Sequence, residues 1–239
     1  MRTHRIRLGT VVLASGATLM AGAAAGAATP SGTNAAPTTL AGIQAKAATD
    51  VGDRANALNA AIGRVNGAKG LGASQAGLAS YLGADIAPLQ QLNTTVQDDM
   101  TVQQAAHDFG TIFSGYRVYR LVLPAAHIAA DADHATTTAI PNLTADATKA
   151  QARVNPANQA TLQPLVDDLK NQISTATNAA NGVAPTVLAF TPAQWNVDNA
   201  LLQASRSSDQ TASAALQKGR ADVKQMVQDL KADHATTTG

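Results

Sequence analysis

The chain has 239 residues, of which 45% are hydrophobic and only 3% aromatic, so any core must be built from aliphatic side chains and alanine. It contains no cysteine, which excludes disulfides, thiol catalysis and thiolate metal sites. The formal net charge is +1, and without the three N-terminal arginines acidic residues slightly outnumber basic ones. So weak a positive charge argues against nucleic acid as a partner.

The first 27 residues have the pattern of a secretory signal peptide. Arg2, Arg5 and Arg7 precede an apolar stretch over residues 8–20, and Ala25-Gly-Ala27 matches the small-x-small pattern of a cleavage site. We therefore predict export by the general secretory route and an extracellular or cell-envelope location. An uncleaved membrane anchor is the alternative, although the stretch is rich in Gly, Ser, Thr and Ala. No later segment is apolar and long enough to span a bilayer, so none is expected after signal cleavage.

The rest of the chain predicts a short linker and one helical domain. Residues 28–39 are polar and rich in helix breakers, which is typical of a disordered linker, and 40–239 predict a helical bundle. Apolar side chains recur at three- and four-residue steps and place five helices before the last one. Their expected extents are 40–65, 74–100 with a kink at Pro88, 101–123, 140–154 and 162–180, with 183–190 as an apolar connection packed on the bundle. Ser74 and Thr101 are the predicted caps of the second and third helices, and Pro124 should kink or split the third before residues 125–138.

The last helix has the strongest local signal. Thr191-Pro-Ala-Gln194 predicts a capping box with proline at the first helical position, and the helix is expected to continue to about Ala232. A seven-residue repeat indicates a coiled-coil-like seam, interrupted by Asp209 and Gly219. The positions of the repeat are Trp195, Leu202, Asp209, Leu216, Val223 and Leu230. We expect an all-α fold, an elongated antiparallel helical bundle of about five or six helices with coiled-coil-like packing.

One set of side chains has metal-ligand spacing. His127, Asp131 and His134 are four and seven residues apart, so on a helix they would share one face, where two imidazoles and a carboxylate can converge on a divalent metal. The alternative is a solvated polar face near a helix end. The phrase that contains His134, Ala-Asp-His-Ala-Thr-Thr-Thr, recurs 100 residues later, which indicates either a duplication or reuse of a helix-ending phrase.

A second set of side chains alternates aromatic and basic residues. Tyr116-Arg-Val-Tyr-Arg120 could stack on bases or sugars. We favour the alternative, in which the tyrosine rings are buried with wet hydroxyls and the arginine stems cover the core or bond Asp on a neighbouring helix.

From Tyr116 to Pro124, followed by Ala-Ala-His-Ile-Ala-Ala-Asp131, the chain resembles a group of exported actinobacterial Ala-rich helical proteins of unknown function. The resemblance implies export and a helical fold. Members of the group often carry cysteine and glutamate, and this chain has neither.

No catalytic motif is present, so we expect no enzymatic activity and no cofactor. The expected function is a structural or interaction role in a secreted or envelope-associated protein, with another protein or a cell-wall component as partner. The alternative is a small-ligand or divalent-metal-binding protein that uses the segment Tyr116–His134.

All 16 acidic residues are Asp, which suggests either adaptation to an acidic exterior or compositional drift.

Overall fold

The computed structural model describes residues 37–237, with side chains described as far as residue 232. The predicted signal peptide and nearly all of the predicted linker lie outside the described residues. Within the described range every regular element is helical, which confirms the all-α class. The elements are α1 (Leu40–Gly67), α2 (Ser74–Gly83), α3 (Ile86–Asp98), α4 (Val102–Ser114), a π-helical segment (Val118–Val122), α5 (Leu123–His134), a second π-helical segment (Ala135–Ala139), α6 (Ile140–Gln151), α7 (Gln159–Ala180), α8 (Val183–Leu188), α9 (Pro192–Val197) and α10 (Gln203–Thr237).

The longer helical pieces match the predicted number of helices. The first π-helical segment, α5, the second π-helical segment and α6 follow one another without interruption, so 118–151 form a single rod. With α1, α3, α4, α7 and α10 this makes six long rods among the described residues, and α2, α8 and α9 are short. The antiparallel, coiled-coil-like packing stays a prediction.

Two hydrophobic clusters hold these helices together. The first is built by α1 to α5, α8 and α9, and its fully buried side chains include Leu58, Leu89 and Ile112. The second joins the second π-helical segment, α6, α7 and α10 around Leu162 and Leu169. The 118–151 rod runs from the first cluster into the second, and its alanines allow the close helix approach that a core with so few aromatics requires.

The last predicted helix is divided in two, which corrects the expectation of one rod from residue 192 to 232. The capping box is present, since the Thr191 hydroxyl accepts the Gln194 N–H and the Gln194 side chain accepts the Thr191 N–H. Yet α9 ends at Val197, because Asp198 leaves the helical conformation and its carboxylate accepts the Ala200 N–H at 2.9 Å. Such a local bond offers the backbone an alternative to the helix. Beyond the break, α10 packs against α7.

The predicted second helix also breaks where the sequence pattern continues. The predicted 74–100 helix is interrupted between Gly83 and Ile86, so Pro88 lies in the first turn of α3, where its missing N–H costs no hydrogen bond. Ser74 does not cap α2, because it is the first helical residue and the preceding Ala73 has no side-chain donor or acceptor. Thr101 does cap α4, since its hydroxyl accepts the Gln104 N–H.

Among the helices of the described residues, none combines the length and the apolar character that crossing a membrane would require.

Candidate functional site

A guanidinium group lies between two aromatic rings on the surface formed by α1, α4 and the first π-helical segment. The Arg54 guanidinium carbon is 4.6 Å from the ring centroid of Phe113 and 5.3 Å from that of Tyr119. Phe109 extends this arrangement, because its ring meets that of Phe113 edge-on at 5.2 Å. We call Arg54, Phe113 and Tyr119 the aromatic–arginine stack.

The stack combines a buried cation with exposed rings. Arg54 is only 8% exposed, whereas Phe113 is 38% and Tyr119 is 49% exposed. Arg54 Nη1 donates a hydrogen bond of 2.7 Å to the Asp50 carbonyl one turn earlier, and the Asp50 carboxylate lies 4.0 Å away. A guanidinium held over ring faces is attracted by their π electrons, and the attraction is strengthened by burial. The rings therefore have a fixed position although each has a free face.

Arg54 occupies a position that the α1 sequence reserves for the core. It is three residues after Val51 and four before Leu58, both of which are buried, so it lies on the apolar stripe of the helix. The sequence interpretation passed over this residue because its stripe counted only apolar side chains. The signal that could have found it is a charged residue at a core position of an amphipathic helix.

The turn between α4 and the 118–151 rod positions a second arginine. Arg117 has a left-handed backbone, with φ 49°, and is the one non-glycine residue with positive φ among those described. Its Nε donates 2.6 Å to the Asn196 side-chain oxygen, and the Asn196 amide donates 3.0 Å to the Ser114 carbonyl. The α9 helix thus fixes the turn, and α9 is itself anchored by the buried Trp195. This also explains why α4 ends at Ser114, where the apolar pattern predicted a helix to residue 123.

These residues surround a small pocket of about 100 Å³. Its lining consists of three arginines, two aromatic rings and two core residues, namely Arg54, Arg117, Arg120, Phe113, Tyr119, Ile112 and Val118. We call it the arginine pocket. The lining contains no carboxylate.

Nearby carboxylates only partly balance this charge. Asp50 forms an ion pair with Lys46 at 3.0 Å, and Asp53 is exposed. Burial raises the pKa of the Tyr119 hydroxyl; the Arg54 cation lowers it, and Asp53 and Asp50 raise it. Tyr119 is therefore a neutral hydrogen-bond donor and acceptor at neutral pH. The favoured sequence interpretation placed the tyrosine rings in the core, which is wrong for Tyr119. The side-chain bond of Arg117 goes to Asn196 and not to an Asp.

The residues of the predicted metal site lie together on α5, but only two of them are in direct contact. His127 Nδ1 and an Asp131 carboxylate oxygen are 3.5 Å apart. Burial raises the pKa of the Asp131 carboxyl, while the neighbouring His127 and His134 imidazoles oppose the rise. Within the described part of the chain, no three His, Cys, Asp or Glu side chains form a group that could hold a metal ion. The hypothesis that His127, Asp131 and His134 bind a divalent metal stays a prediction.

The sequence interpretation missed a carboxylate that faces this group from α10. Burial raises the pKa of Asp209 to about 6; repulsion by Asp131 adds to the rise and His127 opposes it. The sequence showed that Asp209 interrupts the heptad seam, but it did not show that Asp131 and His127 lie beside it. The His134 imidazole also contacts a different part of the fold, because its Nδ1 lies against Gly70 in the loop after α1.

The threonines after His134 fasten that loop to the second π-helical segment. The Thr137 and Thr138 hydroxyls both donate to the Gly70 carbonyl, at 2.8 and 2.9 Å. The first copy of the repeated phrase thus ends α5 and docks a loop. In the second copy, α10 continues to Thr237, and the side chains from residue 233 onward lie outside the described residues.

A larger cavity of about 470 Å³ is an open groove between α6 and α7. Its lining includes Ala147, Ile173 and Lys170, and Lys170 already donates 2.7 Å to Gln151. Its lining contains no histidine, aspartate or tyrosine. Comparison with known proteins finds no family model, no curated protein and no solved structure that matches this chain.

Proposed function

We propose that this chain is an exported, secreted or cell-envelope-associated helical protein that works by binding another protein or a cell-wall component, without enzymatic activity. The observation that carries the proposal is the aromatic–arginine stack. The whole chain has only three Phe, three Tyr and one Trp. Two of these rings are left substantially exposed around one buried guanidinium.

Burying these rings in the core would have stabilised the fold more than leaving them exposed. Fully burying an aromatic or large aliphatic side chain contributes about 1.5–3 kcal/mol relative to leaving it exposed, and aromatics supply large contact area at interfaces. Arginine and tyrosine are also enriched among the residues that dominate binding energy in protein interfaces. Because Arg54 fixes both rings, little side-chain entropy remains to be lost when a partner covers them.

The packing of the remaining chain supports an interaction role over an enclosed small-molecule site. The two hydrophobic clusters are filled by leucine, valine and alanine. The cavities described above are a small polar pocket and an open groove, and neither encloses an apolar volume.

Site-specific photo-crosslinking in the producing cell tests the proposal. A photoreactive p-benzoylphenylalanine is placed at Tyr119, and the matched control carries it at Val227, a 41% exposed hydrophobic residue of α10. Culture supernatant, cell wall and membrane are then fractionated. We expect a light-dependent adduct from position 119 alone, in the wall or supernatant, that excess unmodified chain competes away.

Identical adducts from both positions would contradict a specific surface. Recovery of the chain from the cytoplasm with its first residues intact would contradict export.

A further inference from the structure

Three arginines line the arginine pocket, which has a small volume. Arg54, Arg117 and Arg120 all line it, together with the rings of Phe113 and Tyr119. Like charges brought this close repel one another, and the lining offers no carboxylate to compensate. An anion inside the pocket would remove that repulsion.

The hydrogen-bonding capacity of these arginines is largely unused. Arg54 donates only through Nη1, and Arg117 only through Nε, among the bonds formed by the described residues. Arg120 is exposed and makes neither a hydrogen bond nor an ion pair with any described side chain. A guanidinium has five N–H donors arranged as a planar fork that matches carboxylate and phosphate oxygens. Most of these donors therefore have no hydrogen-bond partner among the described residues.

The pocket's backbone surroundings have the same sign. Val118 and Tyr119 are the first residues of the 118–151 rod and line the pocket. The start of a helix carries a partial positive charge, which adds to the attraction for an anion. The turn that brings Arg117 here is held by Asn196, so the positive groups are fixed in place before any ligand binds.

We infer that the arginine pocket binds a carboxylate or phosphate group of a ligand, with the aromatic rings packing on whatever carries that group. The volume of about 100 Å³ is large enough to hold one such group. The inference rests on the proposed function, because it names the chemistry that the interaction surface recognises.

The test measures binding of small probes to the full-length mature chain by NMR at constant ionic strength, with chloride as the reference salt. Inorganic phosphate is one probe, N-acetylglycine is the carboxylate probe, and N-acetylglycinamide is its neutral control. The variant is Arg120→Gln, chosen because Arg120 has no partner in the described fold to lose. The matched control is Arg206→Gln, an exposed arginine on α10 outside the pocket.

We expect saturable binding of at least one anionic probe, at least about tenfold weaker in Arg120→Gln and unchanged in Arg206→Gln, because the variant loses a charge-assisted hydrogen bond to the anion. Binding of phosphate alone, or of N-acetylglycine alone, would identify which of the two groups the pocket takes. Equal binding of the neutral amide, equal weakening in both variants, or no saturation by either anion would overturn the inference.

The outcome is separable from that of the crosslinking experiment. If position 119 crosslinks specifically but no anion binds, only the anion inference fails. If an anion binds but no partner is crosslinked, the proposed function fails and the pocket stands as a small-anion site.

Discussion

Replacing Asp209 by asparagine should stabilise the protein at neutral pH and leave it unchanged in acid. Asp209 occupies a seam position on α10, between the buried Leu202 and Leu216, and faces Asp131 and His127 on α5. Burial and the Asp131 carboxylate together raise its pKa to about 6. Ionised Asp209 therefore destabilises the fold, and Asp209→Asn keeps the shape of the side chain while removing the charge.

The size of the effect follows from the pKa. An unfolded aspartate has a pKa of 3.8, and Asp209 in the fold has one of about 6. Each pH unit of difference corresponds to about 1.4 kcal/mol, which sets an upper limit of about 3 kcal/mol at pH 7. Because the group is only half-buried and solvent screens it, we expect a gain of about 1–2 kcal/mol. The unfolding temperature should then rise by about 2–8 °C, at about 2–4 °C per kcal/mol for a chain of this size.

The sign of the pH dependence is fixed by the raised pKa. Between pH 3.8 and about 6 the folded protein holds a proton on Asp209 that the unfolded chain has lost. Wild-type stability therefore decreases as the pH rises through that window, and the loss is complete above it. The Asp209→Asn gain should be full at pH 7 and close to zero at pH 4.

Urea unfolding followed by circular dichroism at pH 4, 5, 6 and 7 measures this for the wild type and the variant. Asp167→Asn is the matched control, because Asp167 is exposed on α7 and should change stability little at any pH. Equal stability of Asp209→Asn and wild type at pH 7 would refute the reasoning. A gain of the same size at pH 4 would show that packing, and not charge, is responsible.

Three further substitutions test separate parts of the fold by the same urea assay. Gly70→Ala should cost about 1–3 kcal/mol, because φ is +90° and a Cβ would lie 2.9 Å from His134 Nδ1; a change below about 0.5 kcal/mol would contradict the loop docking. Gly219→Leu should cost about 1–3 kcal/mol, since a Cβ there already meets leucine side chains at 3.1 Å, whereas Gly63→Leu on the open face of α1 should be neutral or stabilising. Arg54→Lys keeps the charge but loses the planar stack, so it should cost about 1–2 kcal/mol, and an unchanged stability would mean that the stack contributes nothing.

The helical class and most helix positions could be predicted because they depend on local periodicity. The stripe of α1 and the capping box at Thr191 are determined by residues within a few positions of each other. The break after Ser114 could not be predicted in this way. It depends on Asn196, about 80 residues away, which bonds both sides of the turn. Such a contact leaves no trace in periodicity, since the apolar pattern on both sides of the turn remains in register for a helix.

The candidate site was predicted in part for the same reason. Tyr119 and Arg120 were recognised as an unusual pair of neighbours, but their environment was interpreted as core. Arg54, on another helix, changes that interpretation. It occupies a core position of α1, and its guanidinium contacts two ring faces and a backbone carbonyl. Both rings lie at the protein surface. The contact between a charged residue on one apolar stripe and aromatic residues far along the chain can be seen only in the folded structure.

The acidic-exterior hypothesis from composition and the electrostatics of the fold agree in sign. Every aspartate with a shifted pKa among the described residues is shifted upward; these are Asp85, Asp99, Asp131, Asp133, Asp209 and Asp222. Burial is the largest cause in each case, so ionisation opposes folding at all six positions. A fold built in this way takes up protons as it forms, and the wild-type urea series should show stability increasing as the pH falls from 7 toward 4. Partial burial raises the pKa of a carboxyl wherever composition places it, so the pH dependence of stability, and not the common sign of the shifts, separates acid adaptation from drift. A wild-type stability maximum near neutrality, with collapse below pH 5, would leave drift as the better account of a chain whose acidic residues are all aspartate.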